Sequence, residues 1–184
     1  MEERNMKMSP VKKIVLTALL TALCVVLPMA FHSIPNAGSI FLPMHIPVLL
    51  CGLVCGWAYG GLCGLVGPLL SSVLTSMPPA AVLPGMMVEC CVYGLVTGLM
   101  LRYVRTGKTT LDLYLSLVAA MLLGRVLSGI AKALIFTPGL SLAAWAAGAF
   151  VTALPGIAIQ LVLIPALVLA LTKARLLPPR YEKV

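Results

Sequence analysis

Three ionisable residues, Glu89, Arg125 and Lys132, stand inside long apolar stretches of this sequence. An ionised side chain at the centre of a membrane helix costs roughly 2.5–3.5 kcal/mol on insertion scales, so such residues are kept where they pair or act. Arg125 and Lys132 are one heptad apart. That spacing puts them on nearly one helical face, ~10 Å apart along the axis, with Ser128 and Gly129 between them. One carboxylate cannot neutralise two cations. The surplus positive charge predicts a site for an anionic or zwitterionic small molecule held by charge-assisted hydrogen bonds. The competing reading is structural: Glu89 pairs with Lys132 or with Arg125 to join two helices, while Lys132 reaches toward the aqueous boundary.

Weaker polar candidates surround these three. His45 begins the second apolar stretch, Asn36 lies in the turn-rich segment before it, Tyr93 follows Glu89 by one helical turn, and Gln160 is embedded in the last stretch. Each alone fits a packing role; together with Ser128 they are expected to contact substrate because binding sites gather a few convergent polar groups. Catalysis is poorly provided for, since an intramembrane enzyme needs a nucleophile with its base, paired carboxylates or a metal cluster. The two histidines, His32 and His45, both fall near one boundary, and Glu89 is the single embedded carboxylate. Cys24, Cys51, Cys55, Cys63, Cys90 and Cys91 lie in apolar runs without C-x-x-C spacing. They read as small hydrophobic residues, with no metal or cofactor expected.

The elements that must position these groups follow from composition. Hydrophobic residues make up 61% and charged residues 10% of the chain, with a mean hydropathy of +1.09, whereas soluble domains carry about 25% charge. The fold class is all-α, an integral membrane six-helix bundle forming one domain over residues 1–184. A span takes ~20 apolar residues. The predicted spans are approximately 10–31, 44–59, 61–77, 83–103, 111–136 and 150–172. Ser9-Pro10 supplies a cap hydroxyl and a first-turn proline for the first, which is read as retained because no small-residue cleavage site follows it. Met44 to Met77 would make one helix ~50 Å long, so it must be divided, and Gly60-Gly61 is the expected break. The part of the last apolar region before Pro155-Gly156 is expected to form a surface helix on the outer side.

Charge outside the spans sets the orientation. Arg4, Lys7, Lys12 and Lys13 are at or before the start of the first span, Arg102, Arg105 and Lys108 lie between the fourth and fifth, and Lys173, Arg175, Arg180 and Lys183 come at or after the end of the sixth. The opposite loops carry no lysine or arginine. The positive-inside rule therefore predicts both termini in the cytoplasm. The net charge of +8 is an orientation signal, and nucleic-acid binding loses its support. Gly52, Gly56, Gly60 and Gly64 recur every fourth residue, a spacing that lets helices approach closely.

Ala18-Leu-Leu-Thr-Ala22 repeats the small-residue spacing on the first span. Together with the six spans and the long Pro/Asn/Gly outer loop, it resembles the substrate-binding S components of energy-coupling-factor (ECF) vitamin transporters over nearly the whole chain. Leu42-Pro-Met-His-Ile-Pro-Val-Leu-Leu50, Gly67-Pro-Leu-Leu-Ser-Ser72 and Met77-Pro-Pro79 look like members from anaerobic Gram-positive bacteria. The resemblance implies capture of a vitamin or precursor from outside, in a pocket roofed by the first outer loop and lined by the last three spans. It further implies toppling of this subunit on a transmembrane coupling subunit driven by two cytoplasmic ATPases, with Ala18 and Ala22 as the docking surface. The chain has no G-x-x-x-x-G-K-[ST] loop, so ATP hydrolysis belongs to the partners. The residue patterns of biotin, riboflavin and thiamine binders are missing, and of the two tryptophans available for ring stacking, Trp57 and Trp145, the sequence places neither in the outer pocket. A small carboxylate of the pantothenate or nicotinate class suits the cationic fifth span better. A stand-alone secondary transporter or channel is the alternative, although the two halves show no matching broken repeats.

Overall fold

A computed structural model describes residues 8–31, 34, 36–136, 139 and 141–178. His32, Pro35 and Pro138, and the basic residues Arg4, Lys7, Arg180 and Lys183, lie outside the described residues. The described chain is helical, and six of its elements are long and apolar enough to cross a membrane. In order, these comprise α1 (Pro10–Ala30), the short α2 (Ala37–Phe41) leading into α3 (His45–Cys55), α4 (Trp57–Thr75), α5 (Leu83–Tyr103), α6 (Thr109–Ala131) and α8 (Leu154–Lys173). A further short helix, α7 (Leu142–Ala146), precedes α8. Two segments are wound more widely, as π-helix: Lys132–Phe136 continues α6 and Ala147–Thr152 continues α7.

Local chemistry explains the ends. The Ser9 hydroxyl accepts from the Lys12 backbone N–H at 3.3 Å, with Pro10 in the first turn of α1. Pro84 and Pro155 occupy the equivalent first-turn places in α5 and α8, where a missing N–H costs nothing. At the other end of α5, Asp112 accepts from the backbone N–H and hydroxyl of Thr106 at 2.9 and 2.7 Å, which ties the α5–α6 turn to α6.

Two expected boundaries are corrected. The division of 44–59 from 61–77 falls at Gly56, not at Gly60-Gly61: Gly56 has φ +99°, a backbone that side chains resist, and so α3 stops at Cys55. Gly60 and Gly61 lie within α4 because their lack of a side chain is used for packing. A Cβ on Gly60 would strike Gly52 and the Gly94 carbonyl, and one on Gly61 would strike Leu95. The span expected at 150–172 begins at Leu154, where Pro155 starts a fresh helix, whereas the one expected at 111–136 runs over Thr109–Phe136, with Lys132–Phe136 wound as π-helix.

Glycines set the centre of the bundle. A Cβ at Gly94 would collide with Gly60, one at Gly98 with Trp57, and one at Gly64 with the Cys90 backbone. α3, α4 and α5 thus meet backbone to backbone, the contact that substitutes in lipid for a hydrophobic driving force. Cys24, Val48, Leu49, Cys63, Cys90 and Leu117 fill the core around them. The outer surfaces carry exposed apolar residues such as Val11, Leu19, Val73, Leu122, Leu134 and Val162, as expected of helices solvated by acyl chains.

Candidate functional site

The embedded charges converge on Glu89. This residue lies one turn and a half into α5, and its carboxylate is reached from two helices. Arg125 Nε of α6 stands 3.7 Å from Oε1, and Lys132 Nζ, in the wide turn after α6, 4.0 Å from Oε2. Both cations therefore share the one carboxylate. Hydrogen bonds complete its shell: the Tyr93 hydroxyl donates to Oε1 at 3.0 Å and the Ser128 hydroxyl to Oε2 at 3.3 Å. His45 Nε2, at the start of α3, is 3.6 Å from Oε1, longer than a hydrogen bond.

Small residues make this convergence possible. The aliphatic chain of Lys132 lies across Gly85, one turn before Glu89, where a Cβ would collide with it. Gly124 likewise receives the ring of Tyr93, and Gly129 the indole of Trp145. The Tyr93 ring also packs on His45, with centroids 5.2 Å apart. Above Arg125, the guanidinium carbon is 5.8 Å from the centre of the Phe150 ring, within range of a cation–π contact.

These groups border a cavity of about 570 Å³, within the range of small-molecule sites. Asn36, His45, Glu89, Arg125, Ser128 and Lys132 all line it. The walls come from α5 and α6, the roof from α2 with its flanking residues, and the far side from α7 and the wide turn after it. Two predicted contact residues stand elsewhere. Tyr93 is fully buried behind Glu89, where it can orient the carboxylate. Gln160 is buried in α8, and its Nε2 donates to the Leu42 carbonyl at 3.4 Å.

That bond holds the roof. α2 is bounded by Asn36 at φ +58° and Leu42 at φ +51°, left-handed conformations that cost about 1 kcal/mol or more for a bulky side chain. The Leu42 carbonyl accepts from Gln160 and from the His45 N–H. Gly156 lets α8 rise against the backbone of Ile40 and Phe41. Gln160 is thus positioned to fix the roof, and not to touch what lies beneath it.

Trp145, whose place the sequence left open, lines the cavity. Its placement depends on Gly129 of α6, a partner that the isolated α7 segment does not disclose. Phe150 and Gly85 were missed for the same reason, although a glycine one turn before an embedded carboxylate is a signal in principle.

The charge balance of the cavity is the chemically informative part. Arg125 is 2% exposed. Among the described residues its Nη2 has no hydrogen-bond partner, nor has His45 Nδ1. An unpaired buried donor costs about 1–3 kcal/mol, more when charged, until something accepts from it. Among the described residues no group of histidine, cysteine and acidic side chains is arranged to hold a metal ion.

On the opposite side of the molecule, α1 and α4 leave an apolar groove of about 640 Å³ along Ile14, Ala18, Ala22, Tyr59 and Leu62. Ala18 and Ala22 are exposed along it, where small side chains leave the groove open. A family model described as ECF transporter, substrate-specific component, matches residues 12–168. No curated protein and no solved structure matches the chain.

Proposed function

Since the chain belongs to the substrate-specific components of ECF transporters, a family of membrane-embedded transport subunits and not enzymes, we propose that it captures a small carboxylate-bearing vitamin or precursor. The pantothenate and nicotinate classes have suitable charge and size. The observation that carries this reading is the unpartnered Nη2 of Arg125, a buried cationic donor on the wall of a cavity with two cations and one carboxylate. A substrate carboxylate bridging Arg125 and Lys132 supplies the missing acceptor and the missing negative charge. Trp145 offers a flat apolar face to the rest of the molecule, and Asn36 and His45 offer polar contacts from the roof.

In this reading Glu89 orients the two cations, and Tyr93 and Ser128 orient Glu89. Closure of α2 over the ligand excludes water and strengthens every charge contact beneath it. The cavity faces outside and both termini face the cytoplasm, following the basic residues around Lys12, Arg105 and Lys173. Delivery then requires a transmembrane coupling subunit seated in the Ala18–Ala22 groove and two cytoplasmic ATPase subunits.

The test is ligand binding by the purified chain in lipid nanodiscs without ATP. One small acid binds in equimolar amount, and a double variant, Arg125→Ala with Lys132→Ala, loses at least a hundredfold in affinity, in line with two charged contacts at ~1.5–3 kcal/mol each. Unchanged binding by the double variant removes the proposed site. Uptake by proteoliposomes containing this chain alone would instead favour a self-sufficient transporter.

A further inference from the structure

A second cavity adjoins the first. It has a volume of about 350 Å³ and lies beneath the other side of α2, against the end of α1 and the turn between α4 and α5. Among the described residues its lining is mostly apolar, with Pro28, Phe31, Ile34, Met44, Met77 and Pro78, and holds no lysine, arginine or acidic side chain. Asn36, Ser39, Leu42, His45, Val82 and Met86 line both cavities together with Gly38. Gly38 has no side chain, and a Cβ built there meets nothing within 4 Å. The two chambers thus share one wall, and at Gly38 no side chain stands in it. His45 stands at the junction, 1% exposed, with Nδ1 unpartnered.

From this juxtaposition we infer that the substrate is bipartite: an acid head at Arg125 and Lys132, and an uncharged apolar arm that passes Gly38 into the second chamber. A donor or acceptor between the two parts faces His45 Nδ1. The inference rests on the carboxylate reading of the first cavity and adds a length and a polarity to the ligand. A small compact acid fills only the charged chamber. A mostly apolar space left empty forfeits dispersion contacts around its walls. An arm of the ligand restores them.

The experiment is calorimetric titration of the nanodisc-embedded chain with propanoate, pentanoate and heptanoate, beside 1-heptanol as an apolar probe without the acid. The same series is run on Met77→Trp, which narrows the second chamber from a residue that does not line the first, and on Met77→Leu as a mild control. In the parent and in Met77→Leu, affinity rises by about fourfold per added methylene once the chain reaches past Gly38. In Met77→Trp the rise disappears while propanoate binds as it does to the parent, which also shows that the variant is folded. An equal rise in the parent and in Met77→Trp overturns the inference, because the arm then lies elsewhere, in lipid or along another wall. Short acids that bind with no dependence on length overturn it too and leave the carboxylate reading standing. Binding of 1-heptanol with no binding of any acid overturns both.

Discussion

Replacing Glu89 by glutamine separates an orienting role from a gripping one. The amide keeps the shape of the side chain and an oxygen to accept from Tyr93, now 3.0 Å away. Only the charge goes. Arg125 and Lys132, at 3.7 and 4.0 Å, are left facing a neutral group. Breaking a fully buried pair costs about 3–5 kcal/mol, and the 13% exposure of Glu89 and 28% of Lys132 reduce this to about 2 kcal/mol because cavity water screens part of the charge. For a chain of this size that lowers the unliganded melting temperature by about 4–8 °C. Ligand binding moves the other way. A substrate carboxylate ~6 Å from Glu89 is repelled by about 3 kcal/mol at an effective dielectric of ~20, part of which is screened, so Glu89→Gln binds the acid about tenfold tighter. Thermal unfolding of Glu89→Gln with and without ligand, followed by intrinsic fluorescence, reads both effects. An unliganded melting temperature within about 1 °C of the parent, together with lost binding, would refute the reasoning and make Glu89 a contact to a substrate donor.

Four further outcomes are expected. Trp145→Ala weakens substrate binding two- to tenfold, the value of an aromatic contact at about 0.5–1.5 kcal/mol, in equilibrium titration. Gln160→Leu removes the Leu42 anchor and costs about 1 kcal/mol, seen as faster ligand release in stopped-flow experiments with little change in association. Ala18→Leu with Ala22→Leu fills the α1–α4 groove and abolishes ATP-driven uptake by the assembled transporter while binding by the isolated chain persists. For orientation, an impermeant maleimide labels Ser141→Cys in intact cells but reaches Lys108→Cys only after permeabilisation. The native background is low, because five of the six cysteines are buried.

Much of the site was legible because charge is rare in this chain. Glu89, Arg125 and Lys132 stand out against apolar neighbours, and heptad spacing alone puts the two cations on one face. The helical class was equally plain from hydropathy. What stayed hidden depends on which helices touch. Gly85 and Gly129 matter because Lys132 and Trp145 lie over them, and a helix that is apolar all round does not announce which side meets a partner. Gly60-Gly61 misled for the same reason: a glycine pair signals a turn in water, whereas in a bundle it also marks the place where backbones meet. Gln160 was visible as a polar residue, but its role under the roof is set by Leu42, more than a hundred residues away in sequence. The wide turn at Lys132 has no compositional mark at all.

The two π-helical segments have a consequence for how such a pocket diversifies. Each borders the cavity: Lys132 sits in one, and Gly148, Ala149 and Thr152 in the other. A π turn amounts to one residue more than the α-helix needs, and adding or removing that residue rotates whatever follows by about 100°. Loss of a single codon near residue 132 therefore swings the ammonium group away from Glu89 while the lipid-facing helix below keeps its register. Selectivity in this bundle can change by discrete rotation as well as by side-chain exchange, with the glycine-packed centre of α3, α4 and α5 left untouched.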